Sequence, residues 1–182
     1  MSKNRVNKNQ TTDDEVRPIG ARALKSAIDS LRPYLFEAEL LDLFAGQGRF
    51  GITASAEGIS SVTFVEKSRT TASLLSKQIQ APSFPKTVQA RVVCQDTLSF
   101  LKDTSQKFDI VFADPPFPIW NSEFQEKLFS AVSKVLKADS IFLVKHPSRV
   151  LLFPLTDAWK LTKQTRSEEH TSELQSRETI SY

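Results

Sequence analysis

Leu40-Leu41-Asp42-Leu43-Phe44 runs without interruption into Ala45-Gly46-Gln47-Gly48-Arg49-Phe50-Gly51, and few backbone paths can carry both halves. Four apolar residues in five suit a strand covered on both faces, as in a parallel sheet. The glycines then stop it. Gly46 and Gly48 can take positive φ without a side-chain clash, and Gly51 lets a following helix pack close to the strand. The stretch therefore reads as buried strand, glycine turn and helix start, with bare backbone open to a ligand.

The rest of the chain alternates around it. After Arg17-Pro18, the residues Ala23, Leu24, Ala27, Ile28 and Leu31 recur at helical spacing until Pro33, where the pattern is expected to stop. The helix after the glycine turn should run to Glu57, with Gly58 as a left-handed C-cap. A second strand over 62–66 precedes a helix from Arg69 to Gln80, which carries Ala72, Leu75 and Ile79 on one face and is broken by Pro82 and Pro85. Val88 to Cys94 is a third strand, and Asp96 and Thr97 open a short helix with Leu98 and Leu101. Phe108 to Ala113 is the fourth strand, ending directly in Asp114-Pro115-Pro116-Phe117. The spacing of Phe124, Leu128, Ala131, Val132, Val135 and Leu136 predicts a helix over 122–137, with Ser122 and Gln125 as a capping box. Ser140 to Lys145 and Trp159 to Lys163 are strands five and six. Such alternation makes an α/β fold with a doubly wound, mostly parallel, Rossmann-like sheet. The polar residues 1–16, with Lys3, Arg5 and Lys8 ahead of Asp13, Asp14 and Glu15, read as a disordered arm.

With 182 residues, 40% of them hydrophobic, the chain can bury one core. No apolar run approaches the ~20 residues of a membrane span, and the N-terminus lacks a signal-peptide core, so a cytoplasmic monomer away from membranes is expected. Cys94, the single cysteine, follows Val92 and Val93 and reads as a small buried residue, which leaves no intrachain disulfide and no metal-ligand cluster.

In an open α/β sheet, ligands collect beyond the carboxyl ends of the strands. The spacing Gly46-x-Gly48-x-x-Gly51 satisfies a dinucleotide fingerprint. Glu66, ending the run Val62-Thr63-Phe64-Val65, sits ~20 residues on, where an acid would hold the ribose hydroxyls of a dinucleotide or of S-adenosylmethionine (SAM) alike. Asp42 inside the first strand and Asp114-Pro115-Pro116-Phe117 downstream separate the two, and together they resemble a SAM-dependent amino-methyltransferase. Asp42, Phe44 and the loop Gly46 to Gly48 would then face the methionine part, Glu66 the ribose, and Asp96 with the Thr97 backbone the adenine. Each acid alone would read as a solvated turn or a helix cap; their recurrence at successive strand ends points to a ligand. An exocyclic base amine is a poor nucleophile because its lone pair is delocalised into the ring. The Asp114 carboxylate and the Pro115 carbonyl would accept its N–H bonds and aim the lone pair at the methyl group. Phe117 offers a stacking face and the two prolines stiffen the loop. Pro118, Ile119 and Trp120 extend that wall, or Trp120 belongs to the core.

From Arg17 to Lys145 the chain resembles the bacterial small-subunit ribosomal RNA guanine-N2 methyltransferase family. The resemblance rests on Arg17-Pro18, on Leu41-Asp42-Leu43-Phe44-Ala45-Gly46-x-Gly48, on Val62-Thr63-Phe64-Val65-Glu66-Lys67 and on Asp114-Pro115-Pro116-Phe117. It implies a class I fold and methyl transfer from SAM to a guanine amino group in ribosomal RNA, on an assembled or assembling small subunit. Two departures stand out. Arg49-Phe50 replaces a small residue followed by Ala or Leu, and Lys145-His146 stands where an acid commonly ends strand five. His146 is either a base or, beside Pro147, structural. An adenine-N6 methyltransferase on RNA or DNA is the alternative, since that amine presents the same two protons to Asp114, although no target-recognition domain fits in this length, which argues against a sequence-specific DNA enzyme. A catalytically silent RNA-binding or assembly module and a nicotinamide oxidoreductase are the other classes. Arg17, Arg22, Arg49 and Lys67 are the expected RNA contacts, since backbone phosphates dominate affinity.

The segment Arg166 to Tyr182 resembles translated sequencing adapter: Arg166 to Ser176 is similar to one frame of a library adapter, and Ile180-Ser181-Tyr182 to the sequence beyond its index. Setting it aside leaves 22 basic against 17 acidic residues, where the whole chain has 24 and 21. That balance suits a polyanionic partner. The division expected is an arm at 1–16, a methyltransferase domain at 17–165 and a non-native tail at 166–182. SAM-methyltransferase folds usually end in an antiparallel hairpin whose last strand inserts between strands five and six. That strand is therefore expected to be missing or replaced, with an unpaired edge unless Arg177 to Tyr182 fills it.

Overall fold

The computed structural model describes residues 20–147, 159–165 and 169–176. Helix α1 (Ala21–Leu35) leads into β1 (Glu39–Leu43), followed by α2 (Arg49–Ser55), β2 (Ser61–Glu66), α3 (Arg69–Gln80), β3 (Gln89–Cys94), α4 (Thr97–Asp103) and β4 (Phe108–Ala113). A short 3-10 turn (Phe117–Ile119), α5 (Ser122–Ser133), β5 (Leu136–Pro147), β6 (Trp159–Thr165) and β7 (Glu169–Ser176) complete it. The strands form one sheet in the order β3-β2-β1-β4-β5-β7-β6. The first five are parallel, and β7 runs antiparallel between β5 and β6.

Period-two alternation divides the apolar strand residues between two layers. Leu40, Phe64, Ile110 and Phe112 face α1, α2 and α3, packing with Leu31, Leu35, Phe50 and Leu75. Leu41, Leu43, Val111 and Phe142 face the other way, onto Phe100, Leu128, Val132 and Trp159. β1 sits between β2 and β4, so its carboxyl end opens at the switch point of the winding. At the opposite end, Asp109 accepts from the Glu39 N–H (2.8 Å) and from Lys137 Nζ (2.9 Å), tying β1, β4 and the start of β5 together.

Several elements differ from the sequence expectation. α1 continues two residues past Pro33, because Leu35, fully buried, carries the last turn into the core. α5 ends at Ser133 and β5 begins at Leu136: Val135 and Leu136 continue the helical apolar pattern but are buried at the sheet, where Val135 O accepts from the Phe108 N–H (2.8 Å). The strand then bulges, with Asp139 at φ 54° and a register shift opposite Phe108 and Ile110. Asn121, not Ser122, caps α5, accepting from the Phe124 N–H at 2.8 Å. Cys94 is exposed rather than buried, because β3 is an edge strand with one open flank. The strand expected between β5 and β6 is present, formed by Glu169–Ser176 rather than by Arg177 to Tyr182, which lie outside the described residues, as do residues 1–16. Ladder hydrogen bonds belong to the backbone, so a polar segment free of Gly and Pro can fill the gap.

The joint between β1 and α2 has no room for a side chain at Gly51. A Cβ there would lie 2.4 Å from Phe64 Cε1 and 3.0 Å from Asp42 Oδ2. Gly51→Ala is expected to destabilise the protein by ~1–3 kcal/mol, the usual cost of overpacking. Urea unfolding measures it, and Phe64→Leu in the same chain should recover part of the loss.

Candidate active site

The carboxyl ends of β1, β2, β3 and β4 surround a cavity of about 550 Å³. Its walls are Asp42, Phe44, Ala45, Gly46 and Gln47 from the first strand and loop, Arg49 and Phe50 from α2, and Glu66, Lys67, Ser68 and Thr71 after β2. Asp96 and Thr97 close one side, and Phe112, Asp114, Pro116 and Ile119 the other. Of the residues singled out in the sequence, Asp42, Phe44, Gly46, Glu66, Asp96, Thr97, Asp114, Pro116, Arg49 and Lys67 are thus brought together.

The others stand apart in different ways. Gly48 is buried behind the loop at φ 70°, where an added Cβ would meet the Leu75 side chain at 2.4 Å. Pro115 and Phe117 flank the lining residue Pro116. Phe117 is 42% exposed at the rim, with Ile119 beside it at 38%. Arg22 is exposed on α1 and does not line the cavity, and Arg17 lies outside the described residues. Trp120 is buried, packed edge-on against Phe124 (5.6 Å between centroids), so it is core rather than wall. His146 is buried, its Nδ1 3.2 Å from Pro147 O, and it does not reach the cavity. Gln47, Ser68 and Thr71 were not singled out. Ser68 was findable, since it follows a strand end directly and caps α3, accepting from the Thr71 N–H.

The four acids are held by different means. Glu66 takes a backbone N–H on each oxygen, Gly46 at 2.8 Å and Ser68 at 2.7 Å, so its carboxylate fixes two loops at once. A carboxylate has about four acceptor sites, which leaves capacity for a diol. Asp96 caps α4 through Oδ1, accepting from Leu98 (3.1 Å) and Ser99 (3.2 Å), while Oδ2 lies 3.7 Å from Lys67 Nζ. Asp96 is therefore a helix cap through Oδ1, and its Oδ2 is left to the cavity side beside Lys67. Asp42 is 1% exposed and accepts from the Gly51 N–H at 3.0 Å. Burial pushes its carboxyl well above the ordinary carboxylate value, the Gly51 hydrogen bond pulls the other way, and the charges of Asp114 and Glu66 raise it further. Asp114 accepts from Lys145 Nζ at 3.3 Å. The loop that carries the first wall is left-handed at Phe44 (φ 57°), Gly46 (φ 54°) and Gly48 (φ 70°). Phe44 is an uncommon residue there, and its ring is steadied edge-on by Phe124 at 6.2 Å.

Four carboxyl groups around one cavity suit a ligand that carries positive charge and hydroxyl or amino donors. Arg49 and Lys67, both exposed, add cations at the rim. Among the described residues no group of His, Cys, Asp and Glu is arranged to hold a metal, and no helix is long and apolar enough to cross a membrane.

Comparison with known proteins agrees with this architecture. A putative methyltransferase from Escherichia coli superposes with a TM-score of 0.77 at 25% identity, over 90% of this chain and 89% of that one. A putative methylase from Haemophilus influenzae gives 0.74 at 32% identity, over 88% of this chain and all of the other. In sequence, ribosomal RNA small subunit methyltransferase D of Haemophilus influenzae is 34% identical over 152 residues, covering 82% of this chain and 77% of that protein. The Escherichia coli K12 protein of the same name is 33% identical over 102 residues, 56% of this chain and half of its own length. Residues 3–175 match the family model described as conserved hypothetical protein 95. The chain therefore belongs to the conserved hypothetical protein 95 family, that of the small-subunit ribosomal RNA methyltransferases it resembles in sequence.

Proposed function

We propose that this chain transfers a methyl group from SAM to the exocyclic N2 amine of a guanine in small-subunit ribosomal RNA, free or in an assembling subunit. The observation that carries the reading is that Asp114 and Pro116 line the same cavity as Asp42, Gly46, Glu66 and Asp96. An amine-holding loop and an acid-lined nucleoside cradle thus share one space. SAM, when bound, supplies an electrophilic methyl on a positively charged sulfur. Glu66 holds the ribose, Asp96 Oδ2 the adenine amine, and Asp42 with the Gly46 loop the methionine ammonium. Asp114 and the Pro115 carbonyl accept the N–H bonds of the target amine and aim its lone pair, while Phe117 stacks on the base. SAM would supply the methyl as an electrophile and leave as the neutral thioether with the electron pair of the broken C–S bond, and the amine proton would pass to water. Arg49 and Lys67 at the rim, together with Arg22 and Arg17, meet RNA phosphates. The same reading takes residues 17–165 as the methyltransferase domain of a cytoplasmic monomer and 166–182 as an appended segment, which resequencing the locus tests directly.

Three outcomes are expected. In calorimetry SAM binds and NAD does not, and Glu66→Ala weakens SAM by ~1.5–3 kcal/mol, the worth of hydrogen bonds to a charged group. Unchanged affinity would remove Glu66 from the site.

Asp42 makes both stability and binding depend on pH. Its folded pKa is raised by burial, so at pH values between the unfolded and folded pKa the ligand-free protein holds a proton that the unfolded chain has released. Stability is therefore greatest below the ordinary carboxylate value of ~3.9, as far as this group goes, and is lost as pH rises towards the raised value. A cationic ligand favours the charged form, so SAM affinity should rise with pH over that window. Asp42→Asn, titrated by calorimetry at several pH values, should flatten the dependence.

Asp114→Ala should leave SAM affinity within a few fold and cut single-turnover methyl transfer to ribosomal RNA by ~10²–10³. Phe117→Ala should lose transfer through stacking, whereas Phe117→Tyr should be tolerated. Mass spectrometry of the product nucleoside locates the methyl; an N6-methyladenine product would replace the guanine assignment, and a wild-type rate for Asp114→Ala would sink the amine-holding mechanism.

A further inference from the structure

Lys145 is a buried cation, 2% exposed, at the carboxyl end of β5. Its Nζ lies 3.2 Å from Asp114 Oδ1 and 3.3 Å from Oδ2, and 5.5 Å from the centroid of the Phe117 ring. An ammonium withdrawn from water is tolerated only where partners offset the lost hydration. Here those partners include both oxygens of the carboxylate and the face of the aromatic ring proposed to meet the substrate base. Lys145 does not line the cavity. It stands behind Asp114, so any influence on the reaction passes through that side chain.

We propose that Lys145 is a positioning residue for methyl transfer, gripping both Asp114 oxygens so that the carboxylate stays charged and aimed at the target amine, and anchoring Phe117 beside it. The inference rests on the amine-holding role given to Asp114 above. Its physical basis is the company Asp114 keeps. Asp42 on β1 couples to it with like charge, and Glu66 on β2 and Asp96 after β3 stand on the same cavity. Arg49 and Lys67 are exposed at the rim and screened by water, and His146, next on β5, is engaged with Pro147. Among the described residues Lys145 is thus the buried positive charge paired with Asp114, itself one of a set of carboxyl groups on that cavity. Without it, repulsion from its neighbours would let Asp114 keep a proton to higher pH. A protonated carboxyl carries a hydroxyl donor in place of an acceptor, and it turns one oxygen away from an amine N–H.

The test is single-turnover transfer of labelled methyl from SAM to small-subunit ribosomal RNA by the full chain, followed across about pH 5.5–9. Lys145→Met should slow transfer by ~10–100-fold near neutral pH, with SAM affinity within a few fold. The loss should shrink as pH rises, because the acid limb of the variant moves up into this range. Lys145→Arg should recover most of the rate. In an Asp114→Asn background Lys145→Met should cost much less, since most of its effect passes through the pair and only the hold on Phe117 is left to lose. A loss that is equal at every pH, or that recurs undiminished in the Asp114→Asn background, would make Lys145 merely structural and overturn the proposal. If Lys145→Met fails to fold, Lys145→Gln decides: slowing in the otherwise unchanged chain that is largely lost in the Asp114→Asn background supports the role, and equal slowing in both, or no slowing in either, overturns it. A wild-type rate for Asp114→Ala is a distinguishable failure, since it removes the amine-holding reading itself.

Discussion

The absence of a side chain at Gly51 is the constraint from which the site follows. Because nothing projects there, α2 begins against the Phe64 ring and its backbone N–H reaches Asp42 at 3.0 Å. That contact draws a carboxyl group into the interior, 1% exposed, beneath the helix start. Phe50, one residue earlier, stacks on Phe112 of β4 at 3.9 Å between centroids, so the same close approach also locks α2 to the strand that delivers Asp114. The glycine loop is therefore a packing device first. Its openness to a ligand is a consequence of how tightly its far side is packed.

Around that joint the carboxyl groups divide the work by what holds them. Glu66 and Asp96 are set by backbone N–H groups, and each retains acceptor capacity. Asp42 is held by one backbone N–H in a dry place, and its burial makes it the group whose charge depends most on what enters. Asp114 is set by a lysine from a neighbouring strand. Two fixed acids, one responsive acid and one paired acid suit a nucleoside, a cation and an amine, in that spatial order around the sheet.

Much of this was legible in sequence because it depends on local pattern. The strand runs, the glycine turn, the helix over 69–80 and the proline motif are written in residue type and spacing, and strand ends then place Asp42, Glu66, Asp96 and Asp114 by topology alone. What failed to show depends on distant partners. Val135 and Leu136 satisfy a helical period as well as a strand, and only pairing with Phe108 decides between them. Cys94 reads as buried until β3 proves to be an edge. Lys145 was visible as a departure from an acid, but its seat on Asp114 joins residues 31 apart in sequence, which spacing does not reveal.

That seat also explains how a rim and an interior can be reconciled at one strand end. Phe117 and Ile119 leave apolar surface in water beside the cavity, a cost that a stacking base would remove on arrival. Exposed aromatic rings swing unless something fixes them, and a buried ammonium 5.5 Å from the Phe117 centroid supplies an electrostatic hold that water does not screen. The cation that orders the carboxylate thus also orders the ring. Its desolvation cost is set against two alignments rather than one, and under the proposed function both bear on the same incoming group: the carboxylate on the amine, the ring on the base that carries it.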